Sequence, residues 1–475
     1  MHSNLVVLGG GPGGYAAAFL AADLGMEVTL IEADPRLGGT CLLRGCIPSK
    51  ALLHVARVVN ETREMAEWGL NYSAPTLNLD AMRARKDKVI STLSGGLKQL
   101  AKQRNVKVLN ARGVFESSQM LRLEGGDASI TDRKVTFDHC IVATGSIPTK
   151  IPAFDLPTDR IMDSTGALEL RDVPDTLLVV GGGYIGLEMG SVYAALGTKV
   201  TVVELTSGLL PGADRDLVKP LQARLEKTFA GIYLDTKVVG LTDRGNAIEV
   251  KFAGPQGERS EQFSRVLVSV GRRPNSAGIG LEKTKVELDQ RGFIKVDRKQ
   301  RTADPHILAI GDIAGEPMLA HKATHEGRVA VEVLHGEPAE FDAVAIPAIV
   351  FTDPEVAWAG LTEEQAKAQN RKVDIAKYPW AASGRAQALG RAEGLTKMLV
   401  DPETERVLGV GVVGPSAGDL ISEAVVAIEM GATVRDITQS IHPHPTLSET
   451  LGNAGEVFYG LATEIYKPKR KAAAQ

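Results

Sequence analysis

Several things are scarce in this chain of 475 residues, and each scarcity removes a class of function. Three cysteines are too few for a structural disulfide framework, and they fit a reducing compartment in which any disulfide is catalytic. Neither sign of charge dominates. The net charge is −4 with acids and bases intermixed, which leaves no field for nucleic acid or an anionic membrane surface. The run 176–197 has the length of a membrane helix, but Glu188 stands in its middle. A strand-like run already starts at Leu5, which leaves no space for a signal peptide. The basic stretch 467–471 reads as a solvated terminus. With 44% apolar and 24% charged residues, the chain reads as a soluble protein of about three domains, with no nucleic acid, membrane or metal partner. Its expected place is the cytoplasm, or the mitochondrial matrix in a eukaryote.

What is present concentrates first between Gly38 and Lys50, in the string Gly-Gly-Thr-Cys-Leu-Leu-Arg-Gly-Cys-Ile-Pro-Ser-Lys. Cys41 and Cys46 stand five positions apart. In an ideal helix that spacing separates Cα atoms by roughly 8–9 Å, whereas a disulfide spans about 4.4–6.8 Å. The pair closes only on a bent backbone, and Gly45 is the residue that tolerates the bend. Pro48 suits the first turn of a helix beginning near Ile47. A thiol at that N-terminus, close to Lys50, has its thiolate favoured. Two blander readings are a zinc half-site and a pair of inert buried cysteines. Zinc would need about two more Cys or His ligands close by, and there are none. A redox loop is the preferred reading.

The chain around this loop reads as one nucleotide-binding unit used twice. Leu5–Leu8 is an apolar strand ending in Gly9, Gly11 and Gly14, spaced G-x-G-x-x-G ahead of a small-residue helix. Backbone N–H groups and a helix N-terminus there approach a pyrophosphate. Glu32 ends the next strand, placed to accept hydrogen bonds from a ribose. The constellation recurs 172 residues on, with Leu177–Val180 leading into Gly181, Gly183 and Gly186, and Val200–Val203 ending in Glu204. The repeat implies two separate dinucleotide sites. Each unit closes with a matching strand and turn, Cys140–Gly145 before Ser146-Ile147-Pro148 and Val266–Gly271 before Arg272-Arg273-Pro274. The first unit is lengthened by the redox loop and two helical segments, about Pro48–Trp68 and Leu79–Arg104. Past Ala345 the texture changes to short strands with Gly-Pro punctuation and then a helix, Ala417–Met430, which fits an α+β domain.

The second chemical site is Ile441-His-Pro-His-Pro-Thr-Leu-Ser-Glu449. Histidine pairs are commonly surface residues, and Thr446-x-x-Glu449 is also a capping box that would explain Glu449 by itself. Dithiol chemistry, however, needs a base near neutral pH, and histidine is the natural one.

These strings together resemble the flavin-dependent pyridine nucleotide–disulfide reductases over about Leu5 to Lys467. The redox string departs from the family at Leu43 and Arg44, where Asn and Val are frequent. His321-Lys-Ala-Thr-His-Glu-Gly327 departs at Thr324 and His325, and the histidine motif departs at Pro443. The resemblance implies an α/β fold of two Rossmann-like domains with a C-terminal α+β dimerisation domain. Its divisions fall at 1–147 (FAD and redox disulfide), 148–274 (NAD), 275–345 (central, completing the FAD site) and 346–475 (interface). It implies a catalytic Cys41–Cys46 disulfide, with Lys50 beside the flavin and paired with Glu188. FAD is then held by Gly9, Gly11, Gly14, Glu32, Thr40, Lys50, Thr144, Gly145, Asp312 and Ala320. NAD falls to Gly181, Gly183, Gly186, Glu188, Glu204 and Gly271, with Tyr184 as a gate over the nicotinamide. His444 is implied as the base and Glu449 as its partner, acting on the disulfide of the other subunit of a homodimer.

Within the family, the absence of arginine between Glu204 and Arg215 favours NAD over NADP. The two cysteines and this cofactor choice point to the branch that oxidises dihydrolipoamide. Its partner is then a lipoyl-bearing acyltransferase component or a lipoyl carrier protein. Alternatives are a related NAD(P)H-dependent disulfide or quinone reductase, and a mainly structural component of a multienzyme complex. Cys140 is expected to be buried and inert.

Overall fold

A computed structural model describes residues 1–128 and 130–466; the 467–471 stretch lies outside the described residues. Strand β1 (His2–Leu8) is buried almost without break from Leu5 onward, as a central parallel strand covered on both faces must be. It feeds helix α1 (Pro12–Asp23), whose buried positions are all Gly or Ala, so helix and sheet lie close together. Strand β2 (Val28–Glu32) returns parallel to β1. On the other side of β1 runs Lys134–Val142. The second half of that strand accepts Ile307–Ala309 as a parallel neighbour, so a segment from far along the chain completes the first sheet.

The redox string is not a loop. It forms a short helix α2 (Gly39–Arg44) and a long helix α3 (Cys46–Glu64), broken only at Gly45. A Cβ on Gly45 would lie 2.9 Å from the Thr40 carbonyl oxygen, so the break needs glycine. The helix after the break thus starts one residue before the expected Ile47. The second inserted helix spans Leu79–Gln103 and is capped by the side chain of Asn78.

The second unit repeats the first. β3 (Thr176–Val180), α4 (Tyr184–Ala195) and β4 (Lys199–Val203) reproduce β1, α1 and β2, and β3 and β4 run parallel like their counterparts. A three-stranded antiparallel meander, Lys237–Asp243, Ile248–Gly254 and Gly257–Phe263, is added to it. The two matching turns seen in the sequence pair with each other, Ser146–Pro148 running antiparallel to Arg272–Pro274 and tying the units together.

Helix α5 (Ala320–His335) packs on α1, where a Cβ at Gly327 would come within 2.8 Å of the Gly13 carbonyl oxygen. Beyond it lies a five-stranded antiparallel sheet. It is covered by α6 (Ala417–Glu429) and α7 (Glu449–Tyr459), which share one apolar core with it. No helix among the described residues is long and apolar enough to cross a membrane.

Candidate active site

The first glycine turn opens onto a cavity of about 740 Å³, inside the roughly 300–1,000 Å³ range of ligand clefts. Its wall includes Gly9, Gly11 and Gly14 from the turn, Glu32 from the end of β2, and Thr144, Gly145, Asp312 and Ala320 from the segments that close the unit. Two features fit these residues to a dinucleotide. Gly14 packs so tightly under the turn that a Cβ would lie 1.8 Å from the Gly9 carbonyl oxygen. Helix α1 also has no side-chain cap, which leaves its first N–H groups for an anion. Glu32 accepts from the N–H of Gly10 at 2.6 Å and of Asp34 at 2.8 Å, and burial pushes its carboxyl above the ordinary range.

At the other end of the same cavity stand Thr40, Cys41, Cys46, Lys50, Tyr184 and Glu188. Cys41 and Cys46 are free thiols close enough to share a hydrogen bond. That bond, given by Cys41, is the main cause that brings Cys46 down to about 7; Lys50 adds to it, while burial and Glu188 oppose it. The Cys41 thiol is held well above its ordinary value by the same bond and by burial. Lys50 Nζ donates to Glu188 Oε2 at 2.9 Å and Oε1 at 3.1 Å. Glu188 Oε1 also accepts the N–H of Phe351 at 3.0 Å, and the Phe351 ring lies 4.3 Å from Lys50 Nζ. α3, α4 and the first strand region of the interface domain therefore meet at this one lysine.

The second glycine turn is built like the first. Gly181 has φ +107, close to the +112 of Gly9, and a Cβ on Gly186 would lie 2.3 Å from the Gly181 carbonyl oxygen. α4 again lacks a side-chain cap at Gly183, so its residues fit a second pyrophosphate on the same ground. Glu204 is buried, accepting from Gly182 N–H at 2.6 Å and from Thr206 N–H at 2.8 Å. Gly271 follows the strand that closes this unit and has positive φ (+110). This unit touches the first cavity through α4, at Tyr184, Ile185, Glu188 and Met189.

His444 and Glu449 are joined, Nδ1 to Oε2 at 2.8 Å, and Nε2 of the exposed ring has no partner among the described residues. Glu449 serves the capping role as well. Its Oε1 accepts the Thr446 N–H at 3.2 Å and Thr446 Oγ1 accepts the Glu449 N–H at 3.3 Å, although α7 begins only at Glu449. One oxygen answers each reading. His444 takes no part in the wall of the cavity that holds the cysteines.

Sequence reasoning missed Ser146, Arg272 and Asn275, which all line the cavity. Ser146 Oγ bonds Asp312, Arg272 Nε donates to Ser146 Oγ at 2.8 Å, and Thr144 Oγ1 donates to the Asn275 carbonyl at 3.0 Å. Their only signal was the matched pair of turns, whose mutual pairing puts them there. It also missed a buried ion pair on α5: Lys322 binds Glu326 at 2.7 Å, and Glu326 accepts the Gly311 N–H at 2.7 Å next to Asp312.

Of the departures, Leu43 is buried and Arg44 lines the cavity in an ion pair with Asp34. Thr324 bonds back to the Ala320 carbonyl and His325 packs on Phe341; neither lines the cavity. Cys140 is fully buried, and burial raises its thiol pKa strongly.

Residues 3–327 match the family model of the pyridine nucleotide-disulphide oxidoreductases, and residues 346–454 match the dimerisation domain of that family. The chain is 48% identical over 474 residues to the dihydrolipoyl dehydrogenase of Vibrio parahaemolyticus, covering 99% of this chain and 98% of that protein. It is 47% identical to the dihydrolipoyl dehydrogenase of Haemophilus influenzae over 99% and 98% of the two chains. Among solved structures, LpdA of Mycobacterium tuberculosis superposes with a TM-score of 0.87 at 29% identity, over 95% of this chain and 98% of that one. The HOCl-induced flavoprotein disulfide reductase RclA of Escherichia coli gives 0.84 at 27%, over 96% and 99%.

Proposed function

The chain belongs to the pyridine nucleotide-disulphide oxidoreductases, and from that premise we propose that it oxidises dihydrolipoamide to lipoamide with NAD⁺, working as a homodimer. The observation that carries this reading is the position of the Cys41–Cys46 pair, in one wall of the dinucleotide cavity with Lys50 and Glu188 beside it. FAD, when bound in that cavity, takes up the electron pair of the dithiol and passes it to NAD⁺.

The residues of the chain do the rest. In the oxidised protein Cys41 and Cys46 form a disulfide. His444 Nε2 of one subunit takes the proton from a substrate thiol, and Glu449 holds the imidazole through Nδ1. The substrate thiolate attacks Cys41, the Cys41–Cys46 bond breaks, and Cys46 leaves as a thiolate. That leaving group is stabilised by the hydrogen bond from Cys41 once this thiol is free, and by the Lys50 ammonium. The second substrate thiol then displaces Cys41 from the mixed disulfide, so lipoamide departs and both cysteines are reduced. Glu204, held by the N–H groups of Gly182 and Thr206, would accept from the adenosine ribose of bound NAD and disfavour a phosphate there, which would select NAD over NADP. The substrate arrives on a lipoyl-bearing acyltransferase component or carrier protein.

The test is direct: purified flavoprotein is mixed with dihydrolipoamide and NAD⁺, and NADH formation is followed. The reading predicts robust NADH formation that Cys46→Ser abolishes. A flavin-loaded protein inert toward dihydrolipoamide but active on another disulfide would overturn it.

A further inference from the structure

The base motif contains a second histidine for which the chemistry above has no use. His442 lies in the loop between the short helix Val434–Gln439 and α7. Its neighbour Ile441 is fully exposed, yet the side chain of His442 is only 12% exposed. Its Nδ1 lies 2.9 Å from the Ser440 carbonyl and its Nε2 2.7 Å from Glu423 Oε1, on α6. Both partners are acceptors, so the neutral ring donates to one of them and the imidazolium to both. Its third wall is α7, where a Cβ on Gly452 would lie 3.1 Å from His442 Nδ1. His442 is thus wedged between α6 and α7.

Two residues later His444 is fastened to α7 through Glu449. Pro443 stands between them with its φ fixed by its ring. The segment that aims the His444 ring is therefore held at both ends, by Glu423 through His442 and by Glu449 through His444.

We propose that His442, clamped by Glu423 and Ser440, is a positioning residue for the dithiol reaction: it fixes the loop from which His444 Nε2 meets the substrate thiol. The inference rests on the reading of His444 as the base. His442 touches neither substrate nor cofactor. Its effect comes through placement, and a misplacement of about 1 Å can cost on the order of 100-fold in rate.

The experiment uses the holoenzyme in four forms beside wild type: Glu423→Leu, Glu423→Gln, Gly452→Ala and His444→Ala. Each is checked for bound flavin and dimeric mass. Two activities are compared: NAD⁺ reduction by dihydrolipoamide, which needs the base, and ferricyanide reduction by NADH, which does not. Glu423→Leu is expected to lower kcat/KM for dihydrolipoamide by roughly 10- to 100-fold, with the ferricyanide rate at the wild-type level. Glu423→Gln should restore most of the dithiol activity, because an amide hydrogen-bonds the ring whichever nitrogen carries the hydrogen. Gly452→Ala, which must push the ring by a few tenths of an ångström, should fall between them.

Equal dithiol activity in Glu423→Leu and wild type would overturn the inference and leave the proposed function intact. So would a parallel loss of both activities, which is the mark of a merely structural role. A wild-type protein inert toward dihydrolipoamide, or a fully active His444→Ala, would overturn the functional reading and the inference with it.

Discussion

Cys46 and Cys41 are the same residue type four intervening positions apart, yet their surroundings push their pKa values in opposite directions. Cys46 is brought down to about 7 by the Cys41 hydrogen bond and by Lys50, against burial and Glu188. Being depressed from the ordinary thiol value, its thiolate persists at and above neutral pH and is lost as pH falls through about 7. In this structure Cys46 is also the more exposed of the two, and both border the cavity. The reaction proposed above sets Cys46 on the flavin side and Cys41 on the substrate side. Iodoacetamide should therefore label Cys41 first in the reduced holoenzyme. Stripping the flavin should pass the label to Cys46, at a rate that falls as the pH drops below about 7. Peptide mapping reads the outcome, and preferential labelling of Cys46 in the holoenzyme would reverse the assignment.

On the proposed reading Glu204 carries the cofactor choice, at the same scale. A hydrogen bond to a charged group contributes about 1.5–3 kcal/mol, so Glu204→Ala should lower NAD⁺ efficiency roughly 10- to 100-fold and relax the preference against NADP. Steady-state kinetics in which the wild type prefers NADP⁺ would contradict this.

At the scale of elements, the legibility of the sequence follows the range of the interaction. The two glycine turns were readable because Gly14 under Gly9 and Gly186 under Gly181 are set by close packing within a few residues. The pairing of Glu449 with His444 was readable for the same reason of nearness. That Cys41 would sit in a helix of its own was not, because Gly45 tolerates a bend without saying what precedes it. Phe351, stacked on Lys50 and donating to Glu188, was also out of reach, since its place depends on how a strand 300 residues away packs on α3.

The same holds for Lys397, a charged residue with no exposed surface. Its ammonium lies 2.7 Å from Asp214, 3.0 Å from Asp216 and 2.9 Å from Glu363, joining the second nucleotide unit to the C-terminal sheet. Removing one partner of such a group leaves buried charge uncompensated, which costs about 3–5 kcal/mol. Lys397→Met should show that loss in denaturant unfolding. The pKa of Asp216 is depressed by Lys377 and Lys397 despite burial, so its share of the stability is complete above the ordinary carboxylate range and disappears as pH falls through the folded-state value. A midpoint unchanged by Lys397→Met would remove the cluster as a fastening between the units.

Over the whole molecule, one βαβ device is used twice, and the chemistry lies where its two copies and the C-terminal sheet converge. Lys50 belongs to the first copy, Glu188 to the second, and Phe351 comes directly after Ala348–Val350, a strand of the C-terminal sheet. The proposed base does not join them within the chain, because His444 lies outside the wall of the cavity that holds Cys41 and Cys46. The C-terminal region that carries it matches the family's dimerisation domain. A second copy of the chain is then what brings base and disulfide together, and this is the central claim. In a mixed dimer of Cys41→Ser and His444→Ala chains, one site carries both lesions and the other carries neither. Removing a general base costs roughly 10²–10⁴-fold, so each parent homodimer should be nearly silent. The decisive measurement is NAD⁺ reduction by dihydrolipoamide with the isolated, flavin-loaded mixed dimer. The account predicts close to half the wild-type rate, and a mixed dimer no more active than its parents would contradict it.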